Sequence, residues 1–459
     1  MNAASRLVVV SNRVALPDEE RPGGLAVALR AALAERGGLW FGWSGHRAPA
    51  PAGEVHAQRA GRITYATTDL TRAEYDGYYA GFSNRTLWPL LHFRLDLVEY
   101  SRENLDAYLR VNARFADALM PRLRDGDTVW VHDYHLLPLG ALLRERGFGG
   151  RIGFFLHVPM PSSDLLAALP GHEALFGNLS AYDLVGLQTR RDVERLQDYM
   201  RLYRGADVRN EQGQVLMADG HRFRVGAFPI SIDTAAIEAQ AADAMRRATV
   251  RRLRASLSVR KLAIGVDRLD YSKGLTRRFR AFERYLETHR VHTGKVTFLQ
   301  IAPPSRTDVA VYQRLRSTLE GLAGSINGRQ ADPDWTPVRY VNRNFSHDVL
   351  TGFYRVADIG LVTPLRDGMN LVAKEYVASQ AAEDPGVLVL SRFAGAAYEL
   401  HEALLVNPYD IDGVAEAIAQ AATMSLAERR ERHAAMLATL RRHDINAWRR
   451  GFLEVLGGA

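Results

Sequence analysis

Apolar runs of four to six residues alternate along this chain with amphipathic stretches of ten or more. Residues 7–10 predict a buried strand, and residues 24–36 a helix closed by Gly37-Gly38. Strands follow at 128–132 and 151–156, with a helix at 136–146 between them. A strand at 183–187 leads into a helix at 191–203. Uninterrupted apolar strands separated by helices are the pattern of a parallel sheet covered on both faces. The pattern changes near residues 228–233, after which 235–257 reads as one charged, Ala-rich helix. The alternation then restarts, with strands at 262–266, 296–301, 338–341, 359–362 and 387–390 and helices at 275–288 and 372–380. Helices at 426–443 and 447–456 close the chain. The reading is α/β, with two doubly wound, Rossmann-like domains meeting near residue 233. Ligands in such sheets bind beyond the carboxyl ends of the strands, so the loops after each strand are where chemistry is expected.

A chain of 459 residues fits about two domains of roughly 200 residues. It has no run of about 18 uncharged apolar residues to span a membrane. The start, MNAASRLVVVSNR, does not read as a signal peptide. The absence of cysteine excludes disulfides, thiolate metal sites and thiol nucleophiles, and fits a cytoplasmic location. The formal charge of +7 is spread along the chain with no compact basic tract, which argues against nucleic acid and fits solvated helix faces. The basic residues are nearly all arginine. The only lysines are Lys261, Lys273, Lys295 and Lys374. Lys261 and Lys295 precede apolar runs, as at strand starts. Lys273 and Lys374 lie in unusual polar segments, where a compact ammonium differs from a planar guanidinium.

The first strand ends in Ser11-Asn12-Arg13, ahead of Gly23-Gly24 at a helix start. Paired glycines let backbone N–H groups approach a phosphate, and Arg13 can grip a second one; the alternative is an ordinary turn with a surface arginine. Tyr78, Tyr79, Phe82, Asn84 and Trp88 mix aromatic faces with polar edges, which suits a sugar or simply a packed lid. Asp133 follows a strand in His132-Asp133-Tyr134-His135, placed to accept from a sugar hydroxyl. His157 ends the next strand and is held extended by the prolines after it; a lone histidine is more often structural. In the second half, Arg268 and Lys273 share one loop before Gly274 and a helix, where two cations can neutralise a departing diphosphate. The alternative is a loop salt-bridged to Asp267 and Asp270. Residues 363–375 contain Asp367, Gly368, Met369 and Asn370 ahead of a helix whose free N–H groups can face a phosphate. Asp367 can bind sugar hydroxyls and Glu375 both hydroxyls of a ribose; the alternative is a capped, empty helix. The Asp-x-Asp triplets at 125–127, 332–334 and 410–412 read as turns, so no metal site is expected.

Seven segments in order, VVVSNR, GGLWFGWSG, VHDYHLLPL, IGFFLHVPMP, DRLDYSKGL, APPSR and TPLRDGMNLVAKEYVA, resemble the trehalose-6-phosphate synthases, retaining glucosyltransferases of the family 20 type. The resemblance runs from Arg6 to about Leu456. It implies a GT-B architecture, with an acceptor domain at 1–233, a nucleotide-sugar domain at 234–445, a cleft between them, and a last helix crossing back to the first domain. It implies that Arg13, Tyr79, Trp88, Asp133 and Arg306 bind glucose 6-phosphate. Gly24, Arg268, Lys273, Phe345, Leu371, Val372 and Glu375 then bind the nucleotide, and Asp367 and His157 contact the transferred glucose. The implied reaction moves glucose from a nucleoside diphosphate glucose, with UDP-glucose the default over ADP or GDP, to give α,α-trehalose 6-phosphate with retention. It needs no metal or cofactor, because Arg268 and Lys273 supply the positive charge that stabilises the leaving diphosphate, which itself takes the acceptor proton. The resemblance also implies a homo-oligomer, dimer or tetramer, with small molecules rather than nucleic acid or membrane as partners. Glucosylglycerol-phosphate synthases and valienol-coupling pseudo-glycosyltransferases share the framework; Tyr79, Trp88 and Asp133 match the trehalose pattern. A non-catalytic homologue would have lost Arg268, Lys273, Asp367 or Glu375, and all four stand.

Overall fold

A computed structural model describes residues 6–17, 24–50, 54–208, 214–217, 220–305 and 310–458. The chain forms two compact units, Met1–Pro229 with Trp448–Ala459, and Ile230–Ala447. No helix among the described residues is long and apolar enough to cross a membrane.

Unit 1 carries β1 (Leu7–Arg13), β2 (Gly38–Ala48), β3 (His56–Ala60), β4 (Ile63–Thr71), β5 (Thr128–His132), β6 (Arg151–Phe155), β7 (Leu184–Leu187), β8 (Asp207–Val208), β9 (Gln214–Leu216) and β10 (Arg222–Ala227). They form one sheet in the order β3-β4-β2-β1-β5-β6-β7-β10-β9-β8. β1 pairs in parallel with both β2 and β5, so the strand order reverses there. Its run Val8-Val9-Val10 is fully buried, as a strand covered on both faces requires. The final helix, Ile445–Gly457, lays Phe452 flat on Trp130 of β5, with ring centroids 4.7 Å apart. It also packs Trp448 edge-on against Phe155 of β6.

Unit 2 carries β11 (Lys261–Val266), β12 (Val296–Ile301), β13 (Val338–Val341), β14 (Ile359–Val362), β15 (Val387–Ser391) and β16 (Leu404–Val406). All pair in parallel, in the order β13-β12-β11-β14-β15-β16. This is a Rossmann sheet whose order reverses between β11 and β14. Its core joins Phe279, Phe282 and Tyr285 of helix Leu275–Thr288 to Phe298, Ile359, Val389 and Ile418. Lys261 opens β11 and donates to the carbonyl of Ala422, as a strand-start lysine should.

Two predicted helices differ. Residues 136–146 begin with a 3₁₀ turn at Tyr134–Leu136, and the helix runs only Leu139–Glu145. Pro138 stands at its N-cap, because proline has no N–H and clashes inside a helix. The helix expected at 235–257 is two, Thr234–Ala244 and Ala248–Leu257. Arg247 turns extended between them, at ψ 134, and the second helix buries Val250 and Leu257. No Gly or Pro announces this break.

The Asp-x-Asp triplets are structural. Asp127 pairs with Arg6, Asp334 with Arg260 and Asp412 with Arg284. Asp410 caps helix Ile411–Thr423. Among the described residues no group of three or more His, Cys, Asp or Glu side chains is arranged to hold a metal ion.

Candidate active site

In unit 1 the candidate residues gather at the carboxyl ends of β1, β5 and β6, around the point where the order reverses. Arg13 is exposed at the last position of β1. Gly45, at φ +92, lies against it, and a Cβ there would sit 2.9 Å from Arg13 Nε. Any other residue at 45 would push the guanidinium aside.

The aromatic stretch is a π-helix, Tyr75–Leu87, entered through a capping box between Thr71 and Glu74. Wide π turns are rare and are frequently found at functional sites. The helix sorts its aromatics. Tyr78 and Phe82 are fully buried, and the Tyr78 hydroxyl donates to Asn12. Tyr79 stays half-buried, stacked on His135 at 5.9 Å and tilted against Trp43 at 5.6 Å. Trp88 is buried with its ring 4.0 Å from that of His92. Of the predicted sugar-facing aromatics, Tyr79 therefore keeps partial exposure, while Tyr78, Phe82 and Trp88 are buried.

Asp133 has φ 75 and ψ 166, a conformation that costs a non-glycine residue about 1–3 kcal/mol. It persists because its N–H donates to Phe155 O and its Oδ1 accepts from His157 N–H at 3.2 Å. The histidine read as solitary is paired: His132 Nδ1 lies 3.1 Å from His157 Nε2. Burial pushes His157 down to about 3 and His132 well below its ordinary value, so both are neutral at physiological pH.

In unit 2 the candidate residues follow β11 and β14, again at the reversal of strand order. Gly274, at φ +68, passes so close to β14's loop that a Cβ would meet Thr363 O at 2.5 Å. Leu365 N–H donates to Ser272 O, tying the two loops together. Across this junction Lys273 Nζ and Asp367 Oδ2 are 2.5 Å apart, both largely buried. Asn370 also donates to Asp367 Oδ2, at 3.1 Å. With φ 74, Asn370 is left-handed and caps helix Leu371–Ser379 through Ala373 N–H. Asp267 binds the fully buried Arg278 at 2.6 Å, and Asp270 caps Ser272 N–H. Arg268 stays exposed.

Glu375 receives His347 Nε2 at 3.3 Å, and His347 Nδ1 meets Gln240 at 2.9 Å. The Glu375 hydrogen bond raises His347 above its ordinary value. Phe345 packs edge-on against Phe353 beneath the guanidinium of Arg343. Leu371 and Val372 form the first turn of the helix Asn370 caps, and Gly368 and Met369 lead into it. Lys374 points the other way: it is fully buried against Glu399 and Ile230 O, and so serves the core.

Gly23 and Arg306 lie outside the described residues; Gly24 opens helix Gly24–Arg36. Sequence reasoning missed Gly45, His347 and the pairing of His132. Gly45 stood in GGLWFGWSG, but His347 has no local signal, since its partners are 28 and 107 positions away.

Two parallel-sheet α/β units, each with polar side chains gathered where its strand order reverses, define a doubly wound protein, the class of fold whose ligands bind at the strand ends. The chain belongs to glycosyltransferase family 20, whose model matches residues 5–457. It is 50% identical to a trehalose-6-phosphate synthase of Sinorhizobium fredii over 460 aligned positions, covering 98% of each chain. It is 49% identical to a crystal structure of a UDP-forming α,α-trehalose-phosphate synthase from Burkholderia xenovorans in complex with glucose-6-phosphate. That match has a TM-score of 0.95 and covers 99% of this chain and 100% of the other. An E. coli structure described as bound with UDP-2-fluoro glucose is 48% identical, with TM-score 0.95 and 99% of each chain covered.

Proposed function

We propose that this chain is a UDP-forming α,α-trehalose-phosphate synthase, moving glucose from UDP-glucose to glucose 6-phosphate with retention. The carrying observation is near-full-length identity of about half to synthases of that name, one solved with glucose-6-phosphate and one with a UDP-glucose analogue. In this reading Arg13, Tyr79, Trp88, Asp133 and Arg306 hold the acceptor. The strained Asp133 carboxylate accepts from its hydroxyls, and the two arginines meet its phosphate. Gly23, Gly24, Phe345, Gly368, Met369, Asn370, Leu371, Val372 and Glu375 hold the nucleotide. Arg268 and Lys273 stabilise the departing diphosphate. Asp367, fixed by Lys273 and Asn370, orients the glucose together with His157. Fixed charges placed where charge develops need no reorganisation during reaction, and this electrostatic preorganisation carries most of the catalysis. The enzyme works in the cytoplasm as a homo-oligomer.

The test is a donor panel of UDP-, ADP- and GDP-glucose with glucose 6-phosphate, scored for nucleotide release and for α,α-linked product. UDP-glucose should give the highest kcat/KM. No disaccharide phosphate from any donor would overturn the proposal.

A further inference from the structure

β5 and β6 are neighbours in the sheet of unit 1, and His132 and His157 stand at their carboxyl ends. The rings stack with centroids 5.3 Å apart, and the hydrogen bond joins Nδ1 of His132 to Nε2 of His157. His132 is fully buried, against Trp130 at 4.5 Å, while His157 keeps partial exposure and also faces Trp448.

Two neutral imidazoles joined by one hydrogen bond share one proton there, and its owner fixes both tautomers. If His157 donated, His132 would carry its own proton on Nε2. That atom is buried without a partner among the described residues. The surroundings already hold donors in this state, because the indole N–H groups of Trp130 and Trp448 are likewise buried and unpaired among the described residues. A third orphaned donor adds to the deficit, and buried N–H groups without acceptors are rare. If His132 donates, its Nε2 is instead a bare lone pair, and no further orphaned N–H is added. The proton of His157 then sits on Nδ1, which makes no hydrogen bond to a described residue.

We propose that His132 is a positioning residue: it donates Nδ1–H to His157 Nε2 and so locks His157 as the Nδ1–H tautomer, a neutral donor to a hydroxyl oxygen of the transferred sugar. This rests on the reading above that His157 contacts that sugar. A phenylalanine at 132 would fill the space, but it would release the tautomer.

The experiment is ¹⁵N–¹H correlation on the full chain labelled with ¹⁵N-histidine, with His157 assigned by loss of its signals in His157→Gln. It is paired with kinetics of His132→Phe and His132→Asn. Wild type should show His157 protonated on Nδ1. His132→Phe should shift it towards the Nε2–H form and lower kcat about ten-fold, the worth of one hydrogen bond, with KM for both substrates little changed. His132→Asn, whose amide N–H replaces the lost donor, should recover most of both. A wild-type His157 protonated on Nε2 overturns the proposal even if neither variant folds. Unchanged kcat in His132→Phe with the tautomer switched also overturns it. Full turnover by His157→Gln, with Nδ1–H seen in the wild type, instead overturns the sugar contact and leaves the lock itself standing.

Discussion

The two units solve the same geometric problem with opposite chemistry. In unit 1 the strand ends present rings and neutral imidazoles: Tyr79 on His135, and His132 on His157. In unit 2 they present paired charges: Lys273 with Asp367, and Arg278 with Asp267. Each choice suits its proposed ligand. A sugar offers apolar faces and hydroxyls, whereas a diphosphate leaving group gathers negative charge as its bond breaks. Each unit also stores backbone strain at its site, at Asp133 and at Asn370.

The largest test of the contrast is stability. Arg278→Ala strands Asp267 in the core and should cost about 3–5 kcal/mol, read from chemical denaturation. Lys374→Ala, which strands Glu399, should do the same. A small loss would mean these ions are not held as tightly as their burial implies. Next come Arg268→Ala and Lys273→Ala, each expected to lower kcat/KM by about 2–4 kcal/mol of transition-state stabilisation. Near-normal turnover in both would remove the diphosphate role from unit 2.

Acid should expose the neutral histidines of unit 1. Their folded pKa values lie below the unfolded value of about 6.5, so the unfolded state binds more protons below that pH. Stability is therefore complete above about 6.5 and falls as pH drops towards 3, by about 1.4 kcal/mol per unit for His157, with His132 acting in the same direction. Denaturation midpoints at pH 7 and 5, compared between wild type and His157→Gln, measure this; equal slopes would contradict it.

The strain at Asp133 predicts a smaller difference between two variants that both lose the carboxylate. Asp133→Gly should be about 1 kcal/mol more stable than Asp133→Ala, because glycine tolerates φ 75, and both should bind glucose 6-phosphate poorly. The smallest effect belongs to His347→Gln. His347 is raised by Glu375, so its charged pairing is present below about 6.5 and fades as pH rises through the raised value. The Tm difference from wild type should shrink above neutral pH; a difference constant from pH 5 to 9 would show that no proton is involved.

Much of this protein is written locally. The apolar runs of β5, β12 and β14 fall at the positions their patterns predict, because a strand buried on both faces leaves an unbroken signature. The loops after β1, β5, β11 and β14 carried the candidate residues, since polar and glycine residues at strand ends stand out against that background. The π-helix gave no such sign, because its aromatics fit a lid as well as a core. Nor did the break at Arg247, which only the packing of the second helix requires. Residue types and their order along the chain thus determined two doubly wound units and most of the candidate groups. Which of those groups meet was left to tertiary structure. Lys273 and Asp367 are 94 positions apart and His132 and His157 are 25 apart. Lys374, in the same helical turn as Glu375, turns into the core. Pairing depends on which strands lie side by side and how closely their loops approach, and on distances that burial makes decisive.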